Sequence, residues 1–139
     1  MPVTFHTEKS NFNLEQKLQH KRWIKSWIES RNAVCGNLSF IFTSNKQLRL
    51  INQEYLNHNY FTDVITFDYS EGDCISGEIY ISKEQVRINA LEYGIKMSEE
   101  LKRVMIHGIL HLLGYKDETP GEKADMSDRE DEALKFWHA

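Results

Sequence analysis

From Leu101 to Leu113 the chain is apolar enough for a buried helix, yet it carries His107 and His111 four residues apart. Residues i and i+4 stack on one helix face, so both imidazoles point the same way while the apolar remainder must pack against another element. Gly114 offers a helix stop. Asp117, three residues further on, sits where a turned-back chain brings a carboxylate to a metal already held by both imidazoles. Structural zinc sites fill all four positions with protein ligands, whereas catalytic ones keep three and leave one for water. The pattern therefore predicts a metallohydrolase with one Zn2+ per chain on His107, His111 and Asp117. Two His and one carboxylate also describe facial iron sites, and core or surface histidines that mimic the spacing are the bland alternative.

The spacing HxxxHxxGxxD is shared with the metzincin peptidases, which place a glutamate directly after the first histidine as general base. Here that position is Gly108. A glycine takes no proton, so peptidase chemistry is disfavoured and the expected nucleophile is water on the metal. His6, His20, His58 and His138 have no comparable partners in sequence. His58 alone precedes a strand expected to line the cleft.

The rest of the chain alternates between the two periodicities. Residues 3 to 6 read as an edge strand. Asn13 is placed to cap a helix carrying Leu14, Leu18, Trp23, Ile24, Trp27 and Ile28, which Cys35-Gly-Asn breaks. Leu38 to Thr43 is β-branched and aromatic, and Ser44 or Asn45 caps a helix through Tyr55. Residues 62 to 69 and 76 to 82 alternate as a hairpin joined by Ser70-Glu-Gly-Asp-Cys. A helix from Lys83 to Tyr93 ends at Gly94, and Ser98 opens the histidine helix. Pro120-Gly121 turns the chain into a last helix from Lys123 to Trp137. The order β-α-β-α-β-β-α-α-α predicts a single α+β domain over residues 1–139, a mixed four-stranded sheet packed by about five helices. Trp23, Trp27, Phe40 and Phe42 are expected in its core rather than as base-stacking platforms.

A net charge of -4 gives no global basic footprint, so nucleic-acid binding needs a local patch. The N-terminal helix offers His20, Lys21, Arg22 and Lys25, though such a cluster is more often a solvated face. Cys35 and Cys74 form no framework spacing, nothing at the start resembles a signal peptide, and no apolar run approaches a bilayer span. A cytoplasmic monomer without membrane or DNA partners is the expectation.

The motif His107-Gly-Ile-Leu-His111-Leu-Leu-Gly114-Tyr115-Lys116-Asp117 resembles the HGxLHLxGyDH signature of the YbeY family of endoribonucleases and rRNA maturation factors. Upstream, Ile51-Asn52-Gln-Glu-Tyr55-Leu56-Asn-His58-Asn-Tyr-Phe-Thr62-Asp63-Val64-Ile-Thr-Phe67 echoes its LNxxYRxxdxpTDVLSF, and Gly77 to Ser82 its GDIxIs strand. The resemblance implies a zinc-dependent nuclease for single-stranded RNA, acting in 16S rRNA 3′-end maturation and ribosome quality control with the ribosomal subunit as partner. Two departures matter most, beside Lys116 in place of the Asp that precedes the family's third histidine. Asp117 stands for the family's third histidine, which keeps a competent ligand, and Leu56 stands for an arginine that can clamp a phosphate. His58 or Lys116 is the candidate to compensate. Glu130, with Met126 four residues before it, lies where the family has an acid. It reads as a general base, as a partner of a ligating imidazole, or, the reading favoured from sequence, as a helix-surface charge. The alternative to catalysis is a ribosome-assembly factor whose metal is mainly structural.

Overall fold

The computed structural model describes residues 3–8, 12–56 and 64–137, with only the backbone of Leu56. The elements follow the expected order: β1 (Val3–Thr7), α1 (Lys17–Ser30), β2 (Val34–Thr43), α2 (Asn45–Leu56), β3 (Val64–Asp68), β4 (Cys74–Ser82), α3 (Lys83–Tyr93), α4 (Met97–Leu112) and α5 (Pro120–Lys135). They build an α+β fold on a mixed sheet of order β1-β2-β4-β3. β1 pairs parallel with β2 and β2 parallel with β4, while β3 folds back antiparallel on β4. Parallel pairing needs a crossover, and α1 supplies one between β1 and β2.

The period-2 pattern of β2 and β4 decides which face is covered. Leu38, Phe40 and Phe42 of β2 and Ile75, Ile79 and Ile81 of β4 enter the main core with Trp23 and Trp27 of α1, Ile106 and Ile109 of α4, and Ala133 of α5. On the other face, Leu48 and Ile51 of α2 cover Ile65, with Phe67 and Tyr80 packed beside them. The two tryptophans and two phenylalanines are thus core, as their spacing predicts. Among the described residues no helix is long and apolar enough to cross a membrane.

Several boundaries differ from expectation, each for a local reason. Asn13 does not cap α1; the helix starts at Lys17 after Gln16 in a left-handed conformation, and Phe12 and Leu14 pack into the core before it. Leu18 is accordingly 52% exposed. Cys35-Gly-Asn is part of β2 rather than a break: α1 ends at Ser30, Asn32 takes a positive φ of 61°, and the register with β4 shifts between Cys35 and Leu38. β4 begins at Cys74 because Glu71 and Cys74 exchange both backbone hydrogen bonds around a tight turn holding Gly72 at φ 59°. α4 starts at Met97 without a side-chain cap, so Ser98 lies inside it. α5 starts at Pro120, because proline fits the first helical position and Thr119 forms a capping box with Glu122.

His20 leaves the basic cluster that its neighbours form. It is only 5% exposed, its Nδ1 lies 2.8 Å from the Gln16 carbonyl, and its ring meets Trp137 at 4.7 Å. Burial holds its pKa below the ordinary 6.5. The unfolded chain therefore takes up a proton that the folded chain resists, so this contribution is present above about pH 6.5 and is lost as pH falls below it. Urea unfolding at pH 7.5 and 5.5 is expected to show wild type losing more stability on acidification than His20→Phe; equal losses would refute the assignment.

Candidate metal centre

α4 is pressed against β4 at Gly108. A Cβ built there would lie 2.7 Å from Ile79 Cγ2, closer than side chains pack. The close approach buries one side of the helix, including Val104, Met105, Ile109 and Leu112, and leaves His107 and His111 half-buried on the other. It also explains why no glutamate follows His107: the metzincin base would point into the core.

After Leu112 the chain reverses. Gly114 takes φ 100°, its N–H donates to the His111 carbonyl at 3.0 Å, and Tyr115 N–H donates to the Leu110 carbonyl at 3.0 Å. This left-handed exit is one that glycine adopts without strain. The turn is tied from outside: Arg31 donates to the Tyr115 hydroxyl at 3.1 Å and to Glu132 at 3.0 Å. Asp117 thereby swings back over α4.

The three polar tips converge. His107 Nε2 lies 3.1 Å from His111 Nε2 and 3.2 Å from Asp117 Oδ2, and His111 Nε2 lies 3.6 Å from the same oxygen. Tetrahedral zinc with bonds of roughly 2.0–2.1 Å requires ligand atoms about 3.3 Å apart, so this triangle has the size of one coordination face. His111 is held below its ordinary pKa, first by burial and then by the neighbouring His107, while Asp117 and a backbone hydrogen bond with Tyr115 oppose the shift. A neutral imidazole is the form that ligates. The donor set of two imidazoles and a carboxylate fits a divalent transition metal.

Glu130 is not a surface charge. It is 6% exposed, on the buried face of α5 with Met126 and Ala133. Its Oε2 lies 2.7 Å from His107 Nδ1, and Arg103 donates to its Oε1 at 2.9 Å. Sequence reasoning passed over Arg103, though it stands four residues before His107 on the same helical face as the histidines. Lys116 is exposed, and its charge is one of the influences on Glu122. His58, with Thr62 and Asp63, lies outside the described residues. A groove of about 650 Å³ runs from His107 and Asp117 past Arg103 to Asn89 and Tyr93.

Comparison with known proteins agrees over the whole length. The sequence profile described as Endoribonuclease YbeY matches residues 3–138. A protein of Flavobacterium psychrophilum named Endoribonuclease YbeY is 48% identical over 136 residues, spanning 98% of this chain and 96% of its own. One of the same name from Bacteroides thetaiotaomicron is 42% identical over 134 residues, spanning 96% and 98%. The solution structure of TM1509 from Thermotoga maritima superposes with a TM-score of 0.67 at 25% identity, covering 96% of this chain and 87% of that one. With the signature motif, the superposed fold and near-complete matches in agreement, the chain belongs to the endoribonuclease YbeY family.

Proposed function

We propose that this chain is a zinc-dependent endoribonuclease for single-stranded RNA, working as a single-domain monomer in the cytoplasm on the 3′ end of 16S rRNA and in ribosome quality control. The observation that carries the reading is the triangle of His107, His111 and Asp117, of coordination size, in a chain of this family. Those three residues would hold the ion. When bound there, zinc would supply Lewis acidity, which would lower the pKa of water toward neutrality and polarise a phosphoryl oxygen. The chain's own part is to keep His111 neutral, to hold Asp117 over the helix through the Gly114 turn and the Tyr115 clamp, and to leave one side open to the groove.

Net charge of -4 means that RNA must be held by local cations, and on α1 Arg22 and Lys25 are exposed for such salt-sensitive contacts. Leu56, in place of the family's arginine, favours the second reading, an assembly factor with a mainly structural metal and weak hydrolysis. The test uses protein from a ribonuclease-deficient host, loaded with zinc and offered a single-stranded RNA, its duplex and a small phosphodiester. Cleavage of the single strand is expected, abolished by chelation and restored by zinc. Absence of metal-dependent cleavage supports the assembly factor, and preference for the small ester supports a general hydrolase.

A further inference from the structure

We propose that Arg103 and Glu130 act as a positioning pair that fixes which ring nitrogen of His107 faces the metal and thereby sets how tightly the ion is held. The inference rests on the metal reading above and concerns residues outside the ligand triangle. Glu130 reaches His107 through Oε2 at 2.7 Å from Nδ1. A carboxylate accepts and does not donate, so this contact puts the ring proton on Nδ1 and leaves the Nε2 lone pair directed at His111 Nε2 and Asp117 Oδ2.

The placement of Glu130 is costly unless it has such a task. It occupies a core-facing position of α5 between Met126 and Ala133, where an apolar side chain would pack. A carboxylate buried alone there would be strongly disfavoured, and exchanging a buried ion pair for apolar residues is often neutral or stabilising. Arg103 supplies the counter-charge at 2.9 Å from Oε1, and its second nitrogen is fixed by Asp131 at 2.6 Å. The result is a chain from Asp131 through Arg103 and Glu130 to His107, joining α5 to α4. Outside the triangle, the partner of His111 among the described residues is the backbone of Tyr115, while Asp117 meets it on the triangle side. The two imidazoles are therefore oriented by different means, one by a buried charge and one by the main chain.

The test is zinc affinity by chelator competition, together with 15N spectra of the histidine rings in metal-free protein. Losing such an outer partner typically weakens metal affinity about 10–100-fold, so Glu130→Ala is expected to fall in that range and to lose the single Nδ1–H form of His107. Glu130→Gln keeps the volume and an acceptor atom, so it retains the tautomer and lies between wild type and Glu130→Ala in affinity. Arg103→Gln is expected to weaken zinc binding beside Glu130 and to have no further effect beside Glu130→Gln. A purely structural role would lower thermal stability while leaving the ring tautomer unchanged. If wild type takes up no zinc, the metal reading fails and this inference with it. If wild type binds zinc and Glu130→Gln and Glu130→Ala bind equally well with the same tautomer, the positioning pair alone is refuted.

Discussion

Asp117→Ala is expected to lose bound zinc and, with it, metal-dependent RNA cleavage, by more than the roughly 100-fold that loss of an outer partner can cause. The carboxylate is the only anionic corner of the triangle, 3.2 and 3.6 Å from the two imidazole nitrogens, and its removal leaves two neutral ligands. Its side chain is partly exposed, so the truncation creates no core cavity, and thermal stability of the metal-free protein should change little. Cleavage that stays equal in wild type and variant would mean a contaminating ribonuclease or a site elsewhere. Asp117→His is the informative companion, since it restores three imidazoles. A carboxylate neutralises more of the ion's charge than an imidazole does, so the acid limb of the pH–rate profile should move to lower pH in Asp117→His. Identical limbs would remove this account of the third ligand.

Gly108→Ala is expected to destabilise the fold although alanine is the better helix former. The propensity gain is worth about 1 kcal/mol. Against it, the new methyl would stand 2.7 Å from Cγ2 of Ile79, a fully buried residue whose branched side chain has little rotamer freedom. Forcing an extra methyl into such packing costs about 1–3 kcal/mol, occasionally more, so the clash wins and the midpoint should fall by roughly several degrees. Zinc affinity should fall with it, because α4 can relieve the contact only by lifting from β4 and carrying His107 away from Asp117. Gly121→Ala is the control. An added methyl there meets nothing within 4 Å, so no loss is expected. Thermal melts of the three proteins decide the matter, and a Gly108→Ala melt at or above wild type would overturn the packing argument.

The metal centre and its surroundings separate what spacing reveals from what only docking decides. The placement of the candidate ligands was legible because helical spacing is rigid: i and i+4 fix His107 relative to His111 before any tertiary contact forms. Sheet composition was legible because strand and helix periods differ, and β3 and β4 announced their hairpin through alternation. Depth was not. Glu130 reads as one more acid in an acidic helix, and only the docking of α5 on α4 turns it inward beneath His107. His20 reads as part of a basic face, yet α1 rolls it under Trp137. Helix starts differed in two ways: the Asn13 capping signal is overridden by the core packing of Leu14, while at α5 the Thr119–Glu122 capping box works at a proline that also reads as a turn.

The clamp on Tyr115 has a thermodynamic consequence. Arg31, at the end of α1, bonds the turn that carries Asp117 and also bonds Glu132 of α5, so elements from opposite ends of the described fold meet behind the third ligand. Whatever free energy the docked ends lend to the triangle, an occupant of the triangle returns to the docking in equal measure, since coupling between two equilibria is reciprocal. A chain that holds its ion is thus a chain whose first and last helices are more firmly closed, and loosening either helix far from the groove should register as faster release of the metal.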